Sequence, residues 1–375
     1  MMRILIFNWR DIKNPEAGGA EIYLHEQAAR WVKKGCEVTL FCSAFPGCKK
    51  REIIDGINIV RAGNKYSVYF MAFLYYLFKF RNKYDIIIDA ENGIPFFTPL
   101  YSSKPKVLLI HHVHKDIFFK ELPFPLALIG YFLEMKLMPL IYKKVNIITV
   151  SKSSKEKILE YRLTKKPVEI VYNGLGKAWI DKKIKKSRKP LVVYLGRFKK
   201  YKSIDILIKA FIKVNHLIPE SKLLIIGKGD QEKNLKKLIK KNKMEDKIKI
   251  CNALNMSEEE KINKVGKGWF AVNPSFIEGW GVTIIECNAL GLPVIGSNVS
   301  GIRDSIKNGK TGLLFEYGNV DELSKKIILL IKNNKKRKEL SKNALKWSKK
   351  FSWDKSAEKF LEILKRINAK KIQNN

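Results

Sequence analysis

Short, nearly continuous apolar runs alternate along this chain with longer stretches of helical pattern, and that alternation limits its fold more than any other feature. Arg3 to Phe7, Glu37 to Phe41, Ile86 to Asp89, Val107 to Ile110 and Asn146 to Val150 are such runs. Runs this short and this apolar suit parallel strands buried on both faces. Glu21 to Lys34 reads as a helix that stops at Gly35. Strand and helix in alternation imply right-handed crossovers and a doubly wound sheet.

The pattern breaks and then restarts. Asp181 to Pro190 is rich in Lys and poor in apolar residues, and reads as a linker. Beyond it, Leu191 to Leu195, Lys222 to Ile226, Trp269 to Val272 and Pro293 to Gly296 read as strands, and Ser203 to Asn215 as a helix. From Asp321 onward the chain reads as helix, interrupted near Phe351-Ser-Trp353. The length of 375 residues accommodates two such domains. The expected division is a first Rossmann-like domain over 1–172, a linker over 173–190, a second over 191–351 and a terminal helix over 352–375.

Charge narrows the partners. Lys and Arg number 73 against 36 Asp and Glu, a net charge of +37. A field of that sign draws polyanions: nucleoside diphosphates, anionic lipid headgroups, nucleic acid. A nucleic-acid-binding protein is one reading, but no recognised nucleic-acid fold accompanies the charge, which is spread along the chain. A non-catalytic membrane-surface protein is another. Tyr69 to Phe80 and Ile117 to Tyr142 mix aromatic and aliphatic residues with Lys, as interfacial segments do, and neither reads as long enough to span a bilayer. The five cysteines form no Cys-x-x-Cys pair, which points to reduced thiols and a cytosolic face. The opening Met-Met-Arg and Ile4 to Phe7 read as a first strand rather than an export signal.

Four constellations carry chemistry. The first is Glu278-Gly279-Trp280-Gly281-Val282-Thr-Ile-Ile-Glu286. Two carboxylates flank a Gly-rich turn and the start of a helix, at the carboxyl edge of a parallel sheet where doubly wound folds bind ligands. Amides at the helix start suit a phosphate, and the carboxylates can accept hydrogen bonds from sugar and ribose hydroxyls. The second is the basic loop Gly196-Arg197-Phe-Lys-Lys-Tyr-Lys202, whose Arg fork and Lys point charge suit a diphosphate. The third is Gly18-Gly19-Ala20-Glu21, small residues that let a ligand approach the backbone. The fourth is His111-His112-Val113-His114, directly after a strand. A metal reading of the histidines finds no carboxylate or cysteine pattern nearby, so strand-end imidazoles lining a cleft are expected instead.

Apparent nucleotide motifs fail on inspection. Gly309-Lys310-Thr311 lacks its upstream glycine, and Gly227-x-Gly229 does not continue to a third. No Asp-x-Asp pair offers a divalent site, and no metal or cofactor is expected.

Taken together, the Glu278-to-Glu286 segment, the Arg197 to Lys202 loop and the Gly18-Gly19 turn occur in the order seen in retaining GT-B glycosyltransferases of family 4, which this chain resembles. Asn173-Gly174 and Asn308 to Phe315 look like two further landmarks. The resemblance implies two Rossmann-like domains facing across a cleft and transfer of a sugar from a nucleoside-diphosphate donor to a glycan or lipid-linked hydroxyl acceptor. It implies that Arg197 and Lys202 neutralise the diphosphate in place of a metal, that Glu286 binds the ribose, and that Glu278 holds the transferred sugar beside the amides of Gly279, Gly281 and Val282. Gly18 and Gly19 would lie beneath the diphosphate. His111, or His112 as the alternative, would lie near the anomeric carbon, making His111 and Glu278 the catalytic pair. The usual Lys-Gly after the basic loop is Lys202-Ser203 here.

Overall fold

The computed structural model describes residues 1–254 and 256–372. The chain divides into two compact units, Met1–Gly174 with Trp353–Asn375, and Leu175–Ser352. Of the C-terminal residues, 373–375 lie outside the described ones.

The first unit is built on β1 (Arg3–Phe7), β2 (Glu37–Cys42), β3 (Arg51–Ile54), β4 (Ile57–Arg61), β5 (Ile86–Glu91), β6 (Lys106–Ile110), β7 (Asn146–Thr149) and β8 (Val168–Ile170). They form one sheet in the order β3-β4-β2-β1-β5-β6-β7-β8. Every pairing is parallel except β3 with β4, a hairpin turned by Asp55-Gly56. Ile4 to Phe7 are buried without exception, as strands covered on both faces require. The strand order reverses between β1 and β5, the position where doubly wound sheets open a ligand crevice.

The helix Trp353–Ile372 belongs to this unit and lies on the helix Gly19–Lys33. Trp31 packs edge-on against Phe360 at 5.1 Å and donates its indole N–H to the Ala357 carbonyl at 3.0 Å. Gly174 passes so close to this helix that a Cβ there would lie 2.3 Å from the Trp353 nitrogen, which accounts for the glycine after Asn173.

The two apolar segments of this unit behave differently. In the helical stretch Val68 to Phe80, every fourth residue (Val68, Ala72, Tyr76, Phe80) is buried in a core with Phe7 and Phe41, so this is a core helix. The stretch Phe124 to Ile141 is long and apolar enough to cross a membrane by length and composition, with mean hydropathy 1.5 over 18 residues. This overturns the expectation that the segment is too short to span, because the helix continues through Glu134 and Lys136. Its first helix, Phe124–Phe132, buries only Ala127 and Gly130. Phe124 is 71% exposed, Leu128 51% and Phe132 55%. Ile117 and Phe118, also expected on the interfacial face, are instead buried beneath it.

The second unit contains β9 (Leu191–Leu195), β10 (Lys222–Gly227), β11 (Ile248–Asn252), β12 (Phe270–Asn273), β13 (Val294–Ser297) and β14 (Gly312–Phe315). All pairings are parallel in the order β11-β10-β9-β12-β13-β14, so the order reverses between β9 and β12. The loops after these two strands therefore lie side by side. Residues 181–190 are bound to this unit: Lys186 Nζ reaches the carbonyls of Gly266 and Leu290 at 2.9 Å, and Trp269 donates to the Ser187 carbonyl at 2.8 Å. All five cysteines are free thiols.

Candidate functional site

In the second unit the β9 and β12 loops bring the basic turn and the Gly-rich segment together. Lys202 closes a single turn of 3-10 helix, Lys200–Lys202, and its ammonium pairs with the Glu278 carboxylate. Both side chains are largely buried, 11% and 14% exposed. Ser275 Oγ donates to the same Glu278 oxygen at 3.0 Å and also to Asn273 Oδ1 at 2.7 Å. Glu278 is thus held from two sides by groups that lie on different strands' loops. The loop Ser300-Gly301 supports its backbone: the Glu278 amide donates to the Ser300 carbonyl at 3.3 Å.

Arg197 leaves β9 beside this pair. Its guanidinium donates to the Tyr201 hydroxyl at 2.9 Å, and its carbonyl accepts from the buried Tyr194 hydroxyl at 3.1 Å. Ser203, which stands where glycine is usual, has φ +51° and caps the helix Ile204–Leu217. A left-handed residue at this point explains why glycine suits the position, and the Ser203 hydroxyl lies 3.0 Å from that of Tyr317.

Gly281, at φ +76°, turns the chain into the helix Val282–Ala289, whose first amides face the loop side. Gly279 belongs to the same turn, and Trp280 between the two glycines is buried against Phe351 at 5.0 Å. Glu286 lies one helical turn further along, half-buried. Its carboxylate makes no hydrogen bond or ion pair among the described residues. Burial pushes it up to about 7; Lys261 draws it down and Glu258 pushes it up. An acceptor set aside in this way is suited to a ligand hydroxyl. Tyr201 and Ser275 were not singled out from sequence, although each lies within four residues of the side chain it contacts; Lys261 and Glu258 were not, because they come from a separate helix, Glu258–Gly266.

In the first unit, Gly18 caps the helix Gly19–Lys33, and its amide donates to Glu21 at 2.7 Å, which Arg10 holds at 3.1 Å. A Cβ at Gly19 would meet nothing within 4 Å, so the helix start is open. His111 follows β6. Its carbonyl accepts from Ser154 at 2.9 Å, its ring meets Tyr23 edge-on at 5.1 Å, and its Nε2 is buried without a hydrogen-bond partner. Burial, with the nearby His114, lowers it to about 4, so the ring is neutral at physiological pH. His112 lies against His114, ring to ring at 4.5 Å.

His114 corrects one expectation. Carboxylates do meet the histidine cluster, from distant sequence: Nδ1 lies 3.2 Å from Glu91 and 3.5 Å from Glu134. Neither contact has hydrogen-bond alignment. The donor atoms of the trio lie within 4.8 Å of one another, a spacing that could hold a metal ion. The same geometry accommodates an imidazolium: although burial opposes the charge, the two carboxylates raise His114 to about 10.

Known proteins resemble this chain along most of its length. The family model Glycosyltransferase Family 4 matches residues 17–176, and the model Glycosyl transferases group 1 matches residues 177–347. The chain is 26% identical to an uncharacterised glycosyltransferase of Methanocaldococcus jannaschii, over 94% of this chain and 96% of that one. Sucrose-phosphate synthase from Thermosynechococcus elongatus superposes with a TM-score of 0.79 at 17% identity, over 98% of this chain and all of that one (100%). An Anabaena protein crystallised in complex with UDP-glucose superposes at 0.75 and 17% identity, over 98% and 100% of the two chains.

Proposed function

This chain belongs to the group 1 glycosyltransferases, with the GT-B fold, and we propose that it transfers a sugar, with retention and without a metal, from a nucleoside-diphosphate sugar to a hydroxyl acceptor that is lipid-linked or lies close to a membrane. The observation that carries the reading is the Lys202–Glu278–Ser275 arrangement beside the helix that Gly281 opens. A diphosphate leaving group develops negative charge as the glycosidic bond breaks. Lys202, the Arg197 guanidinium and the amides of the Val282–Ala289 helix can all oppose that charge, and such preorganised groups act most strongly where water is scarce. Glu278 accepts hydroxyls of the transferred sugar and Glu286 those of the ribose. As the bond from the anomeric carbon to the diphosphate breaks, the acceptor hydroxyl attacks that carbon from the same face, and its proton passes to the departing diphosphate. The first unit offers the neutral Nε2 of His111, an atom that can make one hydrogen bond to a sugar hydroxyl.

The donor is found by thermal shift against UDP-, GDP- and ADP-sugars. A ligand at a hundred times its dissociation constant stabilises the native state by about 2.7 kcal/mol. One nucleotide class should raise the melting temperature of the wild type and fail to raise that of Lys202→Ala; no shift with any class at millimolar concentration refutes the donor reading. Because basic side chains stand where a divalent ion would otherwise serve, transfer is expected to continue in EDTA. Loss of activity in chelator, with recovery on adding Mg²⁺ or Mn²⁺, contradicts that.

The membrane part of the reading rests on the outward face of Phe124–Phe132. A helix with most of its apolar side chains in water is an interfacial element if a surface is there to receive it. Exposed Lys136, Lys143 and Lys144 accompany it in a chain of net charge +37. Each cation near an anionic bilayer adds roughly 1 kcal/mol. The protein should sediment with phosphatidylglycerol-containing vesicles at low salt, and Phe124→Glu with Phe132→Glu should leave it in the supernatant. Full sedimentation of the double variant assigns binding to charge alone.

A further inference from the structure

The buried face of the same helical stretch grips the loop that carries His111. Glu134 is fully buried and accepts two consecutive backbone amides, His114 at 2.6 Å and Lys115 at 2.7 Å, one on each carboxylate oxygen. One turn earlier, Gly130 lies against Phe118: a Cβ there would come within 2.8 Å of the ring. Phe118 in turn stacks on the His114 ring at 5.5 Å. Glu134 falls within a turn of π-helix, Leu133–Leu137, a form that often marks a functional site.

The loop needs this grip. Lys115 sits at φ +34° and ψ −96°, a conformation that L-residues hold only when neighbours impose it. Its amide is one of the two that Glu134 accepts. The part of the stretch before Glu134 has little else to fix it, since Phe124–Phe132 buries only an alanine and a glycine, whereas Met138 anchors the part after it. A thinly packed helix fluctuates, and whatever it clamps fluctuates with it.

We infer that Glu134 is a positioning residue, coupling the seating of this apolar helix on an anionic bilayer to order in the loop that bears His111. The inference rests on the membrane and His111 assignments proposed above. When the outer face rests on lipid, the helix loses its freedom to lift, the carboxylate stays on both amides, and the strained loop is held with His111 in place. In solution the clamp opens more often.

Hydrogen exchange of the full chain tests this without an identified acceptor. Anionic vesicles of phosphatidylglycerol and phosphatidylcholine should slow exchange over residues 111–118 by about tenfold in the wild type. Glu134→Gln keeps the size of the side chain but can accept with only one oxygen. It should still sediment with vesicles, exchange faster over 111–118 in solution, and show no vesicle response. Leu128→Glu, on the outer face, should exchange like the wild type in solution and likewise lose the response. With the nucleotide sugar that shifts the melting temperature, Glu134→Gln should lower kcat more than it raises the donor KM, because Arg197, Lys202, Glu278 and Glu286, which carry most of the proposed donor contacts, lie in the other unit. A vesicle response that survives in Glu134→Gln overturns the coupling, as does a wild-type loop whose exchange ignores vesicles that the protein demonstrably binds. A protein that never binds vesicles overturns it too, by removing its membrane premise. If His111→Ala retains turnover while the exchange results hold, the coupling stands and only the assignment of His111 falls.

Discussion

Replacing Lys202 by Ala is expected to lower kcat/KM by roughly 10²- to 10³-fold, the usual consequence of removing one preorganised group that faces developing charge. The structure adds a requirement to that figure. Lys202 is paired with Glu278 in a largely buried site, so removing either leaves the other without its counter-charge. Glu278→Ala should therefore also lose activity, and the double variant should be about as slow as the worse single one rather than slower by their product. Lys202→Arg should not restore the wild type, since a planar fork does not fit where an ammonium reaches one carboxylate oxygen. Steady-state kinetics on variants shown by circular dichroism to be folded decide the matter. Multiplying effects would mean that the two residues act independently and that the pair seen here is incidental.

The pair illustrates what sequence could and could not carry. The Gly-rich segment from Glu278 to Glu286 is contiguous, so its strand, turn and helix were legible in order. That Lys202 meets Glu278 was not, because 76 residues separate them and only the adjacency of β9 and β12 joins them. The same holds for Glu91 and Glu134, which reach His114 from β5 and from a helix 20 residues onward. A lone carboxylate inside an apolar stretch was the available signal for Glu134. There the stretch turns a polar group inward, onto the amides of His114 and Lys115.

Central strands were legible because burial on both faces makes them continuously apolar. The unrecognised strands are mostly at or near sheet edges: β8, β11 and β14 end their sheets, and in Ile248–Asn252 only Ile248 is buried, so no continuous apolar run marks it. The hairpin of β3 and β4 had a local signal, Asp55-Gly56 between two short alternating runs, that went unused.

Glu286 supplies the second large effect, through pH. Burial holds its carboxyl at about 7 in the native protein, against an ordinary value of 4.5. If the ionised form is the one that accepts ribose hydroxyls, donor affinity should rise about tenfold between pH 6 and pH 8, as the fraction ionised grows. His111 at about 4 and His114 at about 10 titrate outside that window. Lys186, lowered to about 8 by burial, titrates inside it, so the comparison with Glu286→Gln carries the assignment. The variant should bind donor more weakly at pH 8, by about 1.5–3 kcal/mol, with a flatter pH profile. Stability should move the other way. Between pH 4.5 and 7 the native carboxyl retains a proton that the unfolded chain releases, so rising pH removes stability through that range and no further above it. Glu286→Gln escapes the loss. It should melt a few degrees higher than the wild type at pH 8, with the gain fading toward pH 5. Calorimetric donor titrations at pH 6 and pH 8, at fixed ionic strength, decide the binding half. Equal wild-type affinities at the two pH values would remove Glu286 from the donor site, and a melting difference independent of pH would show that its carboxyl is not held high.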